Sequence, residues 1–131
     1  MPFALPLTVI LAALAIFQFA LVLGAPWGRL AWGGQHRVLP ARLRIGSAVA
    51  IVIYALIVVI ALDRLGAIDV FPELFATIAM WVVFGYFVLG ILANAASRSK
   101  PERYVMVPVT IVLAVLSFFI AMGYGAVAAP A

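Results

Sequence analysis

Hydrophobic positions run almost unbroken through four stretches, at about 5–24, 45–62, 74–96 and 105–129, and polar positions gather in the short gaps between them. A helix rises about 1.5 Å per residue, so roughly 20 apolar residues cross about 30 Å of hydrocarbon, and each stretch is of that order. None alternates apolar with polar residues over about ten positions, as strands of outer-membrane barrels do. The pattern predicts an all-α integral membrane protein: a single domain over 1–131 forming a four-helix transmembrane bundle, with helices at about 5–24, 40–62, 72–96 and 100–128. The first stretch reads as a span rather than a cleaved leader. No basic residue precedes it, Leu23 is bulky where cleavage needs a small residue, and a cut after Ala25 would leave Pro26 at the new terminus.

Local signals place the helix ends. Ser99-Lys100-Pro101-Glu102 has the spacing of a capping box, with Ser99 as N-cap, Pro101 in the first turn and Glu102 reaching back. Leu39-Pro40 opens the second helix in the same manner, and Pro108, which cannot donate to the Tyr104 carbonyl, predicts a kink in the fourth. Composition agrees with the pattern. Of 131 residues 69% are hydrophobic and 9% charged, against about 45–50% and about 25% in soluble domains, which excludes a water-soluble monomer. With no cysteine, disulfide frameworks and thiol chemistry are excluded as well.

The net charge of +4 is unevenly placed. Arg29, Arg37, Arg42 and Arg44 lie between the first two helices, and Arg98, Lys100 and Arg103 between the last two. The middle gap holds Arg64 beside Asp63, Asp69 and Glu73. Basic loops stay cytoplasmic, so loops 25–39 and 97–100 are expected inside and both termini outside; a dual topology would need balanced loops. Such short, membrane-flanked loops offer no recognition helix or stacking platform, which argues against nucleic acid.

The loop over 25–39 is rich in Trp, Gly and Arg and is expected to be ordered. Trp27 and Trp32 suit the headgroup layer, so the loop should lie along the membrane surface. Arg42 and Arg44 stand at the positive end of the second helix and need anionic compensation. Two sources fit: headgroup phosphates in general, or a specific pocket where arginines and helix N–H groups surround one anion. Arg29, Arg37, Arg42, Arg44, Arg98 and Arg103, with Trp27 and Trp32 as anchors, are therefore the candidate face for anionic lipid or a partner protein.

Inside the spans no ionisable Asp, Glu, Lys, Arg or His is well embedded, which argues against proton-coupled pumps. Gln18, Ser47, Asn94 and Thr110 instead form a neutral polar layer toward the basic loops, suited to interhelical hydrogen bonds or to lining a conduit. Tyr54, Tyr86 and Ser117 near mid-depth each need a hydroxyl partner. Gly46, Ala50, Gly85, Gly90 and Ala93 suggest faces of close helix approach. His36 is alone, no H-E-x-x-H or paired intramembrane aspartate occurs, and Ser97-Arg98-Ser99-Lys100 lacks the companion motifs of serine acyl enzymes. No catalytic residue, metal site or cofactor is expected, and the chain does not read as an enzyme.

Gly24-Ala25-Pro26-Trp27-Gly28, Ala31-Trp32-Gly33-Gly34-Gln35-His36, Leu39-Pro40 and Leu43-Arg44-Ile45-Gly46-Ser47 resemble the first half of a family of small bacterial four-helix membrane proteins. Asn94-Ala95-Ala96-Ser97-Arg98-Ser99 and Glu102-Arg103-Tyr104-Val105-Met106-Val107-Pro108-Val109 resemble its second half, with Ala96 where the family has isoleucine and Val107 where it has threonine. The resemblance implies a bacterial cytoplasmic membrane and four spans, and carries over no catalytic residue. Together these readings favour a membrane binding or assembly module whose basic face meets anionic lipid or a partner membrane protein. The alternative is one subunit of a homo-oligomeric small-solute or anion conduit.

Overall fold

The computed structural model describes residues 1–127, and over them the chain is helical, without strands. Helix α1 spans Ala4–Val22, α2 Ala41–Arg64, α3 Glu73–Ala95 and α4 Lys100–Ala121. All four are long and apolar enough to cross a membrane, and the chain is a multi-pass membrane protein. Between α1 and α2 lie two single turns, Gly28–Leu30 and Trp32–Gly34.

Both faces of these helices are apolar, so hydrophobic periodicity does not say which one is buried; packing decides. Helix α3 packs most extensively on α4, and α1 on α2, giving two hairpins that meet over smaller interfaces. The solid core lies at the end where the termini gather. Leu7 and Leu11 of α1, Ile57 and Ile60 of α2, Met80, Val83 and Phe87 of α3, and Leu113 and Ile120 of α4 interlock there, nearly all solvent-free. Phe3 stacks on Phe119 at 5.0 Å between ring centroids, closing the same end. Large exposed side chains such as Leu5, Ile16, Val52, Leu74, Val82, Leu89 and Val112 form the outer surface that a bilayer would cover.

The helix ends explain why several polar residues are where they are. Helices α1, α2 and α4 each end with a left-handed glycine, Gly24, Gly66 and Gly123 at φ +95°, +80° and +89°. The next N–H in each case bonds back across the last turn: Ala25 to the Ala20 carbonyl, Ala67 to Leu62 and Tyr124 to Phe119. Gly123 is also why α4 stops at Ala121, well before the expected end at 128, which itself lies outside the described residues. Pro108 is accommodated within a continuous α4.

Arginines serve these ends. Arg64 donates from Nε and Nη2 to the Ala121 carbonyl at 3.3 and 3.0 Å, and Arg103 donates from Nη1 to the Ser97 carbonyl, just past α3, at 2.9 Å. The Arg44 guanidinium lies against Gly24 beyond α1 while its Nε donates to the Leu39 carbonyl at 2.8 Å. A cation at a helix C-terminus meets the negative end of the dipole. Replacing Arg64→Met should lower the unfolding free energy in detergent by about 1.5–3 kcal/mol, the scale of a hydrogen bond to a charged group. Arg42→Met, at an exposed site, should change it by less than about 0.5 kcal/mol. Denaturant titration followed by circular dichroism compares the two, and equal effects would remove the capping role.

Candidate functional site

The α1–α2 connector folds inward across one end of the bundle. Gly28 donates its N–H to the Arg37 carbonyl at 2.8 Å, and a Cβ there would stand 2.0 Å from the His36 carbonyl oxygen, so only glycine lets the connector close on itself. Gly34 is pressed onto the α3–α4 junction, where a Cβ would lie 2.2 Å from the Ser99 Cβ. Between them the Ser99 hydroxyl donates to the Arg29 carbonyl at 2.6 Å, and the Gly33 N–H donates to Glu102 Oε2 at 3.1 Å.

The expected capping box is thereby overturned. Ser99 does precede α4, but neither side chain caps the helix. Both Ser99 and Glu102 are spent on the connector, because tertiary partners there satisfy otherwise unpaired backbone groups. Trp32, although 44% exposed, is also tied to the bundle. Its indole N–H donates to the Ser47 hydroxyl at 3.1 Å, and its ring lies where a Cβ on Gly46 would meet it at 2.8 Å. Trp32 holds φ +53°, and Gly33 and Gly34 follow at +76° and +70°. Trp27 remains about half exposed.

Beneath this roof is a cavity of about 330 Å³ that adjoins the core at Phe87 and Leu113. All four helices line it. Its polar groups are Gln18, Tyr54, Tyr86, Asn94, Thr110 and Glu102; Phe17, Phe87 and Met106 supply apolar wall, and Leu30, Ala31 and Trp32 the roof. Of the small residues expected to bring helices together, Gly90 does so, since a Cβ there would lie 3.1 Å from Thr110 Cγ2, and with Ala50 and Ala93 it also lines the space. Gly46 receives the tryptophan ring, and a Cβ on Gly85 would meet nothing within 4 Å.

Of the four residues expected as a polar layer, three border this one cavity. Asn94 Nδ2 donates to Thr110 Oγ1 at 2.8 Å, and Thr110 in turn donates to the Met106 carbonyl. Gln18 Nε2 donates to the Tyr54 hydroxyl at 3.4 Å, while Gln18 Oε1 is buried without a partner among the described residues. Ser47 stands apart as the support for Trp32. Ser117 is fully buried deeper in α4, and its hydroxyl has no partner among the described residues.

The candidate basic residues divide by what they touch. Arg29, Arg37, Arg42 and Arg98 are exposed around the roof. Arg44 and Arg103 are committed to backbone carbonyls, and Arg103 also lies 5.8 Å from the Tyr104 ring centroid. Among the described residues no three His, Cys, Asp or Glu side chains converge as metal ligands would.

Sequence reasoning missed Glu102 as a site residue. It is only 5% exposed, and its donors are the Gly33 N–H and the Ser97 hydroxyl, neither of them charged. A signal was present: Glu102 is the one acidic residue of four that falls among the basic loops instead of the middle gap. No protein-family model, curated protein or solved structure matches the chain, so the resemblance to small bacterial four-helix proteins rests on its sequence runs.

Removing the carboxylate in Glu102→Ala should loosen the roof. Amide exchange over 28–38 should accelerate about tenfold or more, since a hydrogen bond to a charged group contributes about 1.5–3 kcal/mol. Hydrogen–deuterium exchange by mass spectrometry reads this directly, and unchanged exchange would show that Glu102 does not hold the connector.

Proposed function

We propose that this chain is a binding module of the bacterial cytoplasmic membrane, which holds a small amphipathic ligand in the roofed cavity and meets anionic headgroups with the exposed arginines around it. The observation that carries the reading is a cavity of about 330 Å³ lined by all four helices, whose largely apolar wall carries six polar side chains. Membrane helices gain from close van der Waals contact, so open volume among them is costly unless it is used.

The orientation in this proposal places the roof and both basic loops in the cytoplasm and both termini outside. Seven basic residues, Arg29, Arg37, Arg42, Arg44, Arg98, Lys100 and Arg103, flank that end against Arg64 at the other, and Arg64 is turned to the Ala121 carbonyl. The competing reading, a subunit of an oligomeric conduit, finds less support. Leu7, Leu11, Met80 and Ile120 are at most 1% exposed and fill the bundle below the cavity, which makes the space blind within one chain.

Native mass spectrometry of gently extracted protein tests the reading, because it counts subunits and bound molecules together. Wild type should carry a bound amphiphile that Ala50→Phe, which fills the cavity from a lining alanine, sheds at least tenfold with helix content unchanged. Separately, Arg42→Gln with Arg98→Gln should reduce retention of anionic phospholipid about thirtyfold, since each exposed juxtamembrane cation contributes about 1 kcal/mol. A spectrum indifferent to Ala50→Phe would overturn the binding-module proposal.

A further inference from the structure

The cavity borders a second space. Tyr86 lines both the polar cavity and an apolar groove of about 410 Å³ between α2 and α3, walled by Ile53, Ile57, Ile60, Ile78 and Val82 among others. The two hairpins meet here less closely than the helices within each hairpin pack, and Tyr86 stands at the boundary between the two spaces.

The chemistry changes in a fixed order along this path. At the roof is the Glu102 carboxylate, buried with only neutral hydrogen-bond donors. Eight residues deeper on α4, about 12 Å at the helical rise, Thr110 is bonded to Asn94, and the amide of Gln18 with its unpartnered Oε1 and the Tyr54 hydroxyl line the same cavity. Eight residues further along α3 from Asn94, about another 12 Å, comes Tyr86, and beyond it the groove presents hydrocarbon alone.

We propose that the ligand is a phospholipid-like amphiphile headed by a primary ammonium: the ammonium against Glu102, the phosphate between Glu102 and Gln18, the ester groups at the level of Gln18, Tyr54 and Asn94, and a hydrocarbon chain leaving past Tyr86 into the α2–α3 groove. The inference rests on the cavity being a binding site. A buried carboxylate is costly without a compensating cation, and a primary ammonium supplies both the charge and three N–H donors. Amides and a phenol present both donors and acceptors, which suits the phosphate and ester region. The groove, apolar apart from Tyr86, accepts only a chain. A quaternary ammonium head lacks N–H donors, and an anionic head without an amine would face Glu102 with like charge.

The test uses the full chain in nanodiscs containing equal parts of phosphatidylethanolamine, phosphatidylcholine and phosphatidylglycerol with identical acyl chains, followed by extraction and native mass spectrometry. Wild type should retain phosphatidylethanolamine at least tenfold over phosphatidylcholine. That preference should fall to near unity in Glu102→Gln, which keeps the shape of the side chain. Gln18→Leu leaves the roof bonds in place and should reduce the preference about threefold, which separates ligand contact from loosening of the connector. Val82→Trp, on the outer wall of the groove, should lower retention of the same lipid without changing which head is preferred. Retention sensitive to Ala50→Phe but equal among the three heads overturns the amine assignment and leaves the cavity reading standing. Retention indifferent to Ala50→Phe overturns both.

Discussion

The bond from the Gly33 N–H to the Glu102 carboxylate joins the connector to the start of α4, and the organisation of that end of the bundle depends on it. With Gly33 fixed, Gly34 seats on Ser99, Arg29 meets the Ser99 hydroxyl, and Trp32 is delivered to Ser47 and Gly46. These contacts come from three separate parts of the sequence, and each relies on the others to be in register. The roof is therefore one cooperative unit, and the cavity owes its closed end to it.

The opposite half obeys a different rule. In hydrocarbon the hydrophobic effect does not bring helices together, and stability there comes from interlocked side chains and from the backbone groups that the helix ends leave unpaired. Left-handed glycines fold the last turns back on themselves, and Arg64 and Arg103 cover carbonyls that remain. Several arginines are thus structural, which divides a basic cluster uniform in sequence into residues that hold the fold and residues left exposed.

The spans were legible because a run of apolar residues long enough to cross a bilayer has few other outcomes, and the chain forms four such helices with ends close to those expected, apart from α4. The end of α4 was misjudged because apolar residues continue past Gly123 and hydropathy does not register a left-handed turn. Gln18, Asn94 and Thr110 were recognisable as neighbours in depth, since depth follows from counting along a span. Glu102 was not, because Ser-x-x-Glu has a complete local explanation, and only the tertiary fold reveals that the connector competes for both side chains. The small residues were visible, but spacing alone does not distinguish a face that closes from one that leaves room.

Trp32 gives the roof a further property. A non-glycine residue with φ +53° is held in a conformation that costs roughly 1–2 kcal/mol relative to its alternatives. That cost is sustained only while the indole N–H is engaged and the ring is seated on Gly46. Once these contacts part, the backbone relaxes, so the strain works like a compressed spring beneath a latch. The roof thus holds local backbone strain that its side-chain contacts offset, whereas the base of the bundle depends on close packing.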